Sequence, residues 1–456
     1  MTGIAGANGD LVVIGNVRDA ASEIAQVGTY TLNGDTTATN YNNQKMEGAI
    51  SSVNGTSENN NRMITTSGNT AVAGAYGGFI HQITNFSDGS NDRVSNCLSG
   101  FHINDTWSGI SIRTSKWNNT AAITSYGLPL TYKANSMLSV YAVPKNLIAR
   151  EELSGNSNIT FSNISQSYDH LELSVYARSN VAGTARQYAI EYNGDATASN
   201  YERVTMYAGS TTVTSFAHSS PLPAIIPGAS STANVFGAST ATIYNYTKTD
   251  RHKFGMVSGG YTTRPEVQMS VGRWKNTAAI TSITLNVDGA DLFSAGTVVE
   301  LRGIRAEQSA PRNFEITGIP QVDGDLVLIG NLRTDRDYPS DVNKIALNGD
   351  NTDANYTRQR LKGAGSSATT DSANNNFINY IAGDAAPRDI FGAFLAQIPN
   401  YSDGSNDRFI NSIAGEHIDS SFSDCVIHAS RWNNTAAITN LTLHGDYVKT
   451  GFVAGS

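Results

Sequence analysis

Trp117-Asn118-Asn119-Thr120-Ala121-Ala122-Ile123-Thr124, WNNTAAIT in one-letter code, returns as WKNTAAIT at Trp274–Thr281 and as WNNTAAIT at Trp432–Thr439, at spacings of 157 and 158 residues. A second marker precedes each copy. Asn33-Gly34-Asp35 is followed by Asn40-Tyr41, Asn193-Gly194-Asp195 by Asn200-Tyr201, and Asn348-Gly349-Asp350 by Asn355-Tyr356, spaced by 160 and 155 residues. A third lies between the other two: FSDGSNDR ending at Arg93, the degenerate YTKTDR ending at Arg251, and YSDGSNDR ending at Arg408. Three markers in constant order at one period make the chain an internal repeat. Solenoid repeats are far shorter, roughly 20 to 50 residues, so each copy is expected to close its own core. The 456 residues thus divide into three expected domains, 1–146, 147–309 and 310–456. The second boundary has the polar, proline-containing character of a linker, AEQSAPRN (Ala306–Asn313). The first, around VPKNLIAREE (Val143–Glu152), is less marked.

The stretch before each tryptophan alternates. Ile110, Ile112 and Thr114 in the first copy correspond to Val267, Met269 and Val271 in the second and to Cys425, Ile427 and Ala429 in the third, with mostly polar residues between them. A period of two predicts a half-buried strand with its polar residues toward solvent. Two polar residues after the tryptophan and a further alternating run, Ile280–Leu285 in the second copy, predict a hairpin. DLVVIGNVR from Asp10, HLELSVYAR from His170 and DLVLIGNLR from Asp325 read as further strands. Many short strands separated by Gly, Asn, Ser and Asp, without long amphipathic helical windows, predict an all-β chain of three tandem β-sandwich, jelly-roll-like domains.

Composition excludes several classes of function. With 31 basic and 39 acidic residues the net charge is −8, so neutralising phosphates cannot supply the binding energy and nucleic acid is not an expected partner. Nor is a membrane, because no run reaches the 18 or so apolar residues of a spanning helix and the N-terminal residues lack a signal-peptide pattern. Cys97 and Cys425, more than 300 residues apart, are expected to be separate buried thiols.

Candidate chemistry is sparse. Each copy places an arginine 17 residues before an aspartate, at Arg18 and Asp35, Arg178 and Asp195, Arg333 and Asp350. An ion pair or turn contact between neighbouring strands is the expectation, with Asn-Gly supplying the positive φ of a tight turn. Asp88, Asn91 and Asp92, and Asp403, Asn406 and Asp407, put oxygen ligands close together as a calcium loop does, but no glutamate follows at the EF-hand spacing and the second copy lacks the pattern. A hydrogen-bonded turn is expected there instead. Of eight histidines only His102 and His417 are equivalent in the repeat, and no HxH, HExxH, GxSxG or phosphate-loop pattern occurs. No catalytic, cofactor or metal site is therefore assigned, and no enzymatic activity is expected. The repeated Trp117, Trp274 and Trp432 read as core anchors, while Trp107, which has no counterpart, is freer to make a contact. Asn-x-Ser/Thr triplets such as Asn54-Gly55-Thr56 and Asn158-Ile159-Thr160 are as frequent as chance dictates in an Asn- and Thr-rich chain. The middle copy alone carries SFAHSSPLPAIIPGASS (Ser215–Ser231), whose proline and apolar content suggests a protruding loop or a contact with another subunit.

The middle copy runs ITFSNISQSYDHLELSVYARS (Ile159–Ser179), EYNGDATASNY (Glu191–Tyr201), GRWKNTAAITSITL (Gly272–Leu285) and FSAGTVVELRGIRAE (Phe293–Glu307). This resembles the domain found in structural proteins of tailed bacteriophage virions, particularly phages of aquatic bacteria, in which a closing strand AGS-x-x-x-LYGI is usual. Here the strand reads AGTVVELRGI, with Arg302 in place of the tyrosine. The resemblance spans nearly the whole chain three times over. It implies a non-enzymatic component of a virion surface or appendage, located on the extracellular particle, whose partners are other virion structural proteins and further copies of itself. The alternative is an adhesin that holds a host-surface glycan; a depolymerase-type enzyme is disfavoured because no carboxylate pair recurs.

The copies also align at their ends. Met1-Thr2-Gly3-Ile4 falls on Ile316-Thr317-Gly318-Ile319, and Phe452–Ser456 on Phe293–Thr297, after which the middle copy continues into VVELRGI. The expectation is that the third copy presents an open sheet edge that a strand supplied in the assembly would cover.

Overall fold

A computed structural model of the chain describes residues 10–446 and Phe452, apart from short segments at 23–24, 50–51, 72–76, 84–85, 87–91, 105–106, 130–135, 144–145, 210–211, 234, 262–265, 290, 305–313, 323, 365–366, 388–389, 403, 405–406 and 419–422. Antiparallel strands and three short 3-10 turns make up its regular structure, and no α-helix occurs among the described residues. Every sheet draws all its strands from a single stretch of the chain, residues 10–143, 146–304 or 314–445.

The middle stretch is the most regular. One eight-stranded sheet has the order Asn146–Glu152, Val298–Ile304, His170–Ala177, Gly237–Tyr244, Lys253–Tyr261, Glu266–Trp274, Tyr201–Gly209, Thr212–His218. A four-stranded sheet, Ile159–Phe161, Ile283–Val287, Ala185–Tyr192 and Leu222–Pro227, lies against it. Leu171, Leu173, Val175 and Leu301 from the first sheet and Tyr188, Ile190, Ile283 and Leu285 from the second share one buried core, which makes the unit a β-sandwich. The first and third stretches have their own cores around Trp117 and Trp432.

Two expectations fail in an instructive way. The run after the tryptophan does not form a hairpin with the strand before it: Ile283–Val287 pairs with Ile159–Phe161 and Ala185–Tyr192 in the opposite sheet. The segment from Asn276 to Ser282 therefore crosses between layers about 10 Å apart, which a two-residue turn cannot do. Nor do the tryptophan strands turn a polar face to water, since all nine residues of Glu266–Trp274 are buried. Their apolar face packs on the other two copies: Ile110 and Ile112, Val267, Met269 and Val271, and Cys425, Ile427 and Ala429 belong to one central cluster. The intervening polar residues point into the sandwich, where hydroxyls pair with one another, as Ser270 does with Thr205 at 2.8 Å and Ser111 with Ser99 at 3.0 Å.

The three large sheets close on one another in a ring. A glycine at one register position, opposite Ile110, Val267 or Cys425, lies against the next copy: Gly100 meets Ala429, Gly415 meets Val271, and Gly260 meets Thr114. Thr114, Val271 and Ala429 are themselves equivalent, each three residues before its tryptophan. The contacts thus run first to third, third to second and second to first around a pseudo-three-fold axis.

The copies differ in what flanks the first long strand of the large sheet. Met137–Val143 pairs with Asp10–Val17 in the first, and Val298–Ile304 with His170–Ala177 in the second. In the third, Leu326–Leu332 has one strand neighbour among the described residues, Gly392–Ile398, and its Val327 is 53% exposed. The residues aligned at the start of the first copy, 1–9, lie outside the described part, as do 306–313 of the linker.

Candidate functional site

The repeated motifs build a joint between the two sheets of each copy. Asn33, Asn193 and Asn348 have φ of 51°, 52° and 51°, and the glycines after them 74°, 72° and 74°. Two consecutive left-handed residues are what a type I′ turn requires, and Asn-Gly supplies them at least cost. The asparagine side chain then holds the segment after the tryptophan, Asn193 Nδ2 donating to the Ala279 carbonyl at 2.8 Å while its Oδ1 accepts from the Thr281 N–H at 2.8 Å. The tyrosine hydroxyl closes the same turn, Tyr201 donating to the Asp195 carbonyl at 2.7 Å. The tryptophan reaches the turn through its indole N–H: Trp117, Trp274 and Trp432 donate to Asp35, Asp195 and Asp350 at 2.7, 2.8 and 2.7 Å. All three rings are buried and stack on Tyr41, Tyr201 and Tyr356. The anchors expected from the sequence are in place, and a buried indole N–H explains why an aspartate must stand in each turn. Burial pushes the aspartate carboxyls up, but hydrogen bonds from the tryptophan, the asparagine and the threonine two residues on hold them below the usual carboxylate range.

The arginines serve a different loop. Arg178 donates to the carbonyls of Thr232, Val235, Ala229 and Ser231 at 2.8 to 3.0 Å. Arg18 reaches the carbonyls of Gly68, Asn69 and Ala71, and Arg333 those of Asp384, Ala386 and Pro387. The expected arginine–aspartate pair is replaced by two separate contacts, because the aspartate is committed to the indole and the loop carbonyls need a donor. A further correction concerns the third marker. In register, Arg93 and Arg408 stand opposite Trp117 and Trp432, but Trp274 faces Lys253, not Arg251. Lys253 Nζ donates to the Thr277 carbonyl at 2.8 Å, as Arg93 does to Thr120 and Arg408 to Thr435.

Cys97 and Cys425 are buried free thiols, as expected. Asp88, Asn91, Asp403 and Asn406 lie outside the described residues, as do the side chains of His102, His417 and Trp107. Asp92 and Asp407 pair with Lys116 at 3.3 Å and Arg431 at 3.8 Å. No cluster of potential metal ligands occurs among the described residues. Ser215–Ser231 is not a protruding loop: it includes Leu222–Pro227, an edge strand of the small sheet whose residues are all buried. Its prolines are tolerated because an edge strand leaves half its N–H groups outside the ladder. Arg302, the departure from the resembled motif, is buried between Glu172 and Glu300, which neutralise it.

Two concavities lie among the described residues. A cavity of about 150 Å³ sits among the three copies and is lined by equivalent register pairs, Ile80 with Leu98, Thr240 with Ser258, and Leu395 with Ile413. The larger, about 300 Å³, belongs to the middle copy and is lined by Arg186, Gln187, Tyr207, Phe216, Ile225, Glu266 and Asp288 together with Ala185. Glu266 is buried at its base and accepts from Tyr207 at 2.6 Å and Tyr261 at 3.0 Å. The Arg203 guanidinium lies 5.8 Å from the Phe216 ring centre and is held by Ser220 and Thr205 at 2.7 Å. This cleft had no signal in the repeated motifs; Tyr207, Phe216 and Glu266 in its lining differ from the residues at the same register positions in the other two copies.

No known protein family and no curated protein matches the chain. Among solved structures, Pseudomonas aeruginosa OccK11 (OpdR) aligns over 96% of each chain at 8% identity with a TM-score of 0.12. OccK7 (OpdD) of the same organism aligns over 97% of this chain and all of its own at 7% identity with a TM-score of 0.11. Similarities this low carry no argument about fold or function. Among the described residues no helix is long and apolar enough to cross a membrane.

Proposed function

We propose that the chain is a non-enzymatic structural component of a phage virion surface or appendage, assembling with other virion proteins. The observation that carries this reading is the ring of three sandwiches on one shared apolar core, a block in which the repeated tryptophans and the aspartates of the Asn-Gly-Asp turns are spent on bonds within their own copy. A scaffold that invests its recurring side chains internally is suited to bearing load, whereas a catalyst leaves reactive groups in a cleft. Val322, Val327 and Tyr338 of the third copy, at 61%, 53% and 48% exposure, and Leu147 of the second, at 53%, offer apolar surface for association with other subunits. Mass spectrometry of purified virions from a phage carrying the gene, with antibody labelling of intact particles, tests the proposal. Stoichiometric presence on the particle is expected; absence from purified particles overturns it.

A further inference from the structure

The middle-copy cleft exists because the charges that fill the same space elsewhere are missing. In the third copy the positions of Thr205, Tyr207, Phe216 and Glu266 are held by Arg360, Lys362, Asp371 and Asp424, as the strand registers show. Asp371 there binds Arg358 and Arg360, and Lys362 binds Asp424 at 2.9 Å while lying 4.4 Å from the Tyr380 ring centre. Ion pairs and stacked cations close the space. In the first copy Lys45, Glu47 and Thr56 occupy the positions of Thr205, Tyr207 and Phe216, and Lys45 pairs with Glu47 at 2.6 Å. The middle copy puts Tyr207 where its neighbours have Glu47 and Lys362, and Phe216 where they have Thr56 and Asp371, and leaves the volume open.

What remains is a plate and a rim. Phe216 and Tyr207 are half-buried rings, Ile225 is a buried apolar wall, and Gln187, Asp288 and Arg186 stand at the mouth. Tyr207 is fixed by its bond to Glu266 and Phe216 is backed by Arg203, so ordering these rings costs little when a ligand arrives. A sugar ring has a complementary form, with an apolar C–H face for an aromatic plate and hydroxyls at its edge for carboxylate and amide acceptors. Arg186 is already paired with Asp291 at 3.2 Å, and the carboxylates of Glu266 and Asp288 repel an anion. The size is at the small end of ligand clefts, roughly 300 to 1,000 Å³.

The geometry points to a binding site for an uncharged saccharide in this cleft, its ring lying on Phe216 and Tyr207 and its hydroxyls bonded by Asp288 and Gln187. The site does not depend on where the chain resides, so its test stands apart from that of the virion assignment.

The experiment uses the full chain on an array of neutral, amino and acidic saccharides, followed by titration of any neutral hit against Phe216→Ala, Asp288→Asn and Asp446→Asn. Asp446 holds the position of Asp288 in the third copy, where it pairs with Lys344 at 3.0 Å. Neutral hits are expected, weakened at least tenfold by Phe216→Ala and by Asp288→Asn and unchanged by Asp446→Asn. Asp288 is exposed, so Asp288→Asn keeps the test valid if Phe216→Ala fails to fold. An array without hits, hits confined to acidic saccharides, or affinity that survives Asp288→Asn overturns the proposal.

Discussion

A Cβ placed on Gly100 would fall 2.5 Å from the Cβ of Ala429, a separation that real Cβ atoms essentially never show. The glycine is there so that the first sheet can lie on the third, and Gly415 against Val271 repeats the arrangement at 2.7 Å. Substituting Gly100 or Gly415 by valine should destabilise the chain by about 1–3 kcal/mol through overpacking. Denaturant titration would show it as an earlier midpoint. The same change at Gly155, which has open space around it, should cost far less.

The indole–aspartate contact calls for a double-mutant cycle. Trp274→Phe and Asp195→Ala should each cost about 1–3 kcal/mol by leaving a partner unsatisfied, and the double variant should cost less than their sum. Additive losses would show that the two residues contribute independently.

Arg178 holds the loop 229–235 through four carbonyls. In Arg178→Met those acceptors lose their donor, and limited proteolysis should cut that loop several-fold faster while the central core stays protected. Unchanged cleavage would contradict the role given to this side chain.

His428 is buried, has no hydrogen-bond partner on either ring nitrogen among the described residues, and packs edge-on to Phe377 at 5.0 Å. Burial, together with the nearby Arg358, Arg360 and Lys362, holds its pKa well below the ordinary value. The unfolded chain therefore takes up a proton below about pH 6.5 that the folded chain refuses, and stability falls as pH decreases. His428→Leu should lessen the loss of stability between about pH 7.5 and about pH 5.5. Equal losses in both proteins, measured by urea unfolding, would refute the assignment. Burial lowers His81 to about 3 and His170 to about 4, so part of the acid sensitivity should remain in the variant.

How far the sequence could be read follows from where each side chain makes its contacts. Asn193, Asp195, Tyr201 and Trp274 bond within their own copy, so the same letters recur wherever the joint is built, and the all-β fold and the buried tryptophans were legible from them. Ile110, Val267 and Cys425 were read correctly as a buried face, but the other copies that cover it were not legible, since alternation reports that a face is covered and not by what. The glycines at 100, 260 and 415 were the available clue to sheet-on-sheet contact; in a chain with 42 glycines they do not stand out. The cleft was legible only in part: Phe216 and Ile225 fall in Ser215–Ser231, the segment peculiar to the middle copy, but Tyr207 and Glu266 come from other strands and belong to no recurring motif.

A ring that closes within one polypeptide changes what mutation can do to it. In a trimer of identical chains every substitution appears three times and must be tolerated at all three positions at once. Here a change enters once. Arg360, Lys362 and Asp371 keep their charges in the third copy while Thr205, Tyr207 and Phe216 differ in the second, and the shared core accommodates both. Covalent linkage also makes closure intramolecular, so the ring should survive dilution that would dissociate separate subunits. The fold can thus hold two sectors to a supporting task and free the remaining one for recognition.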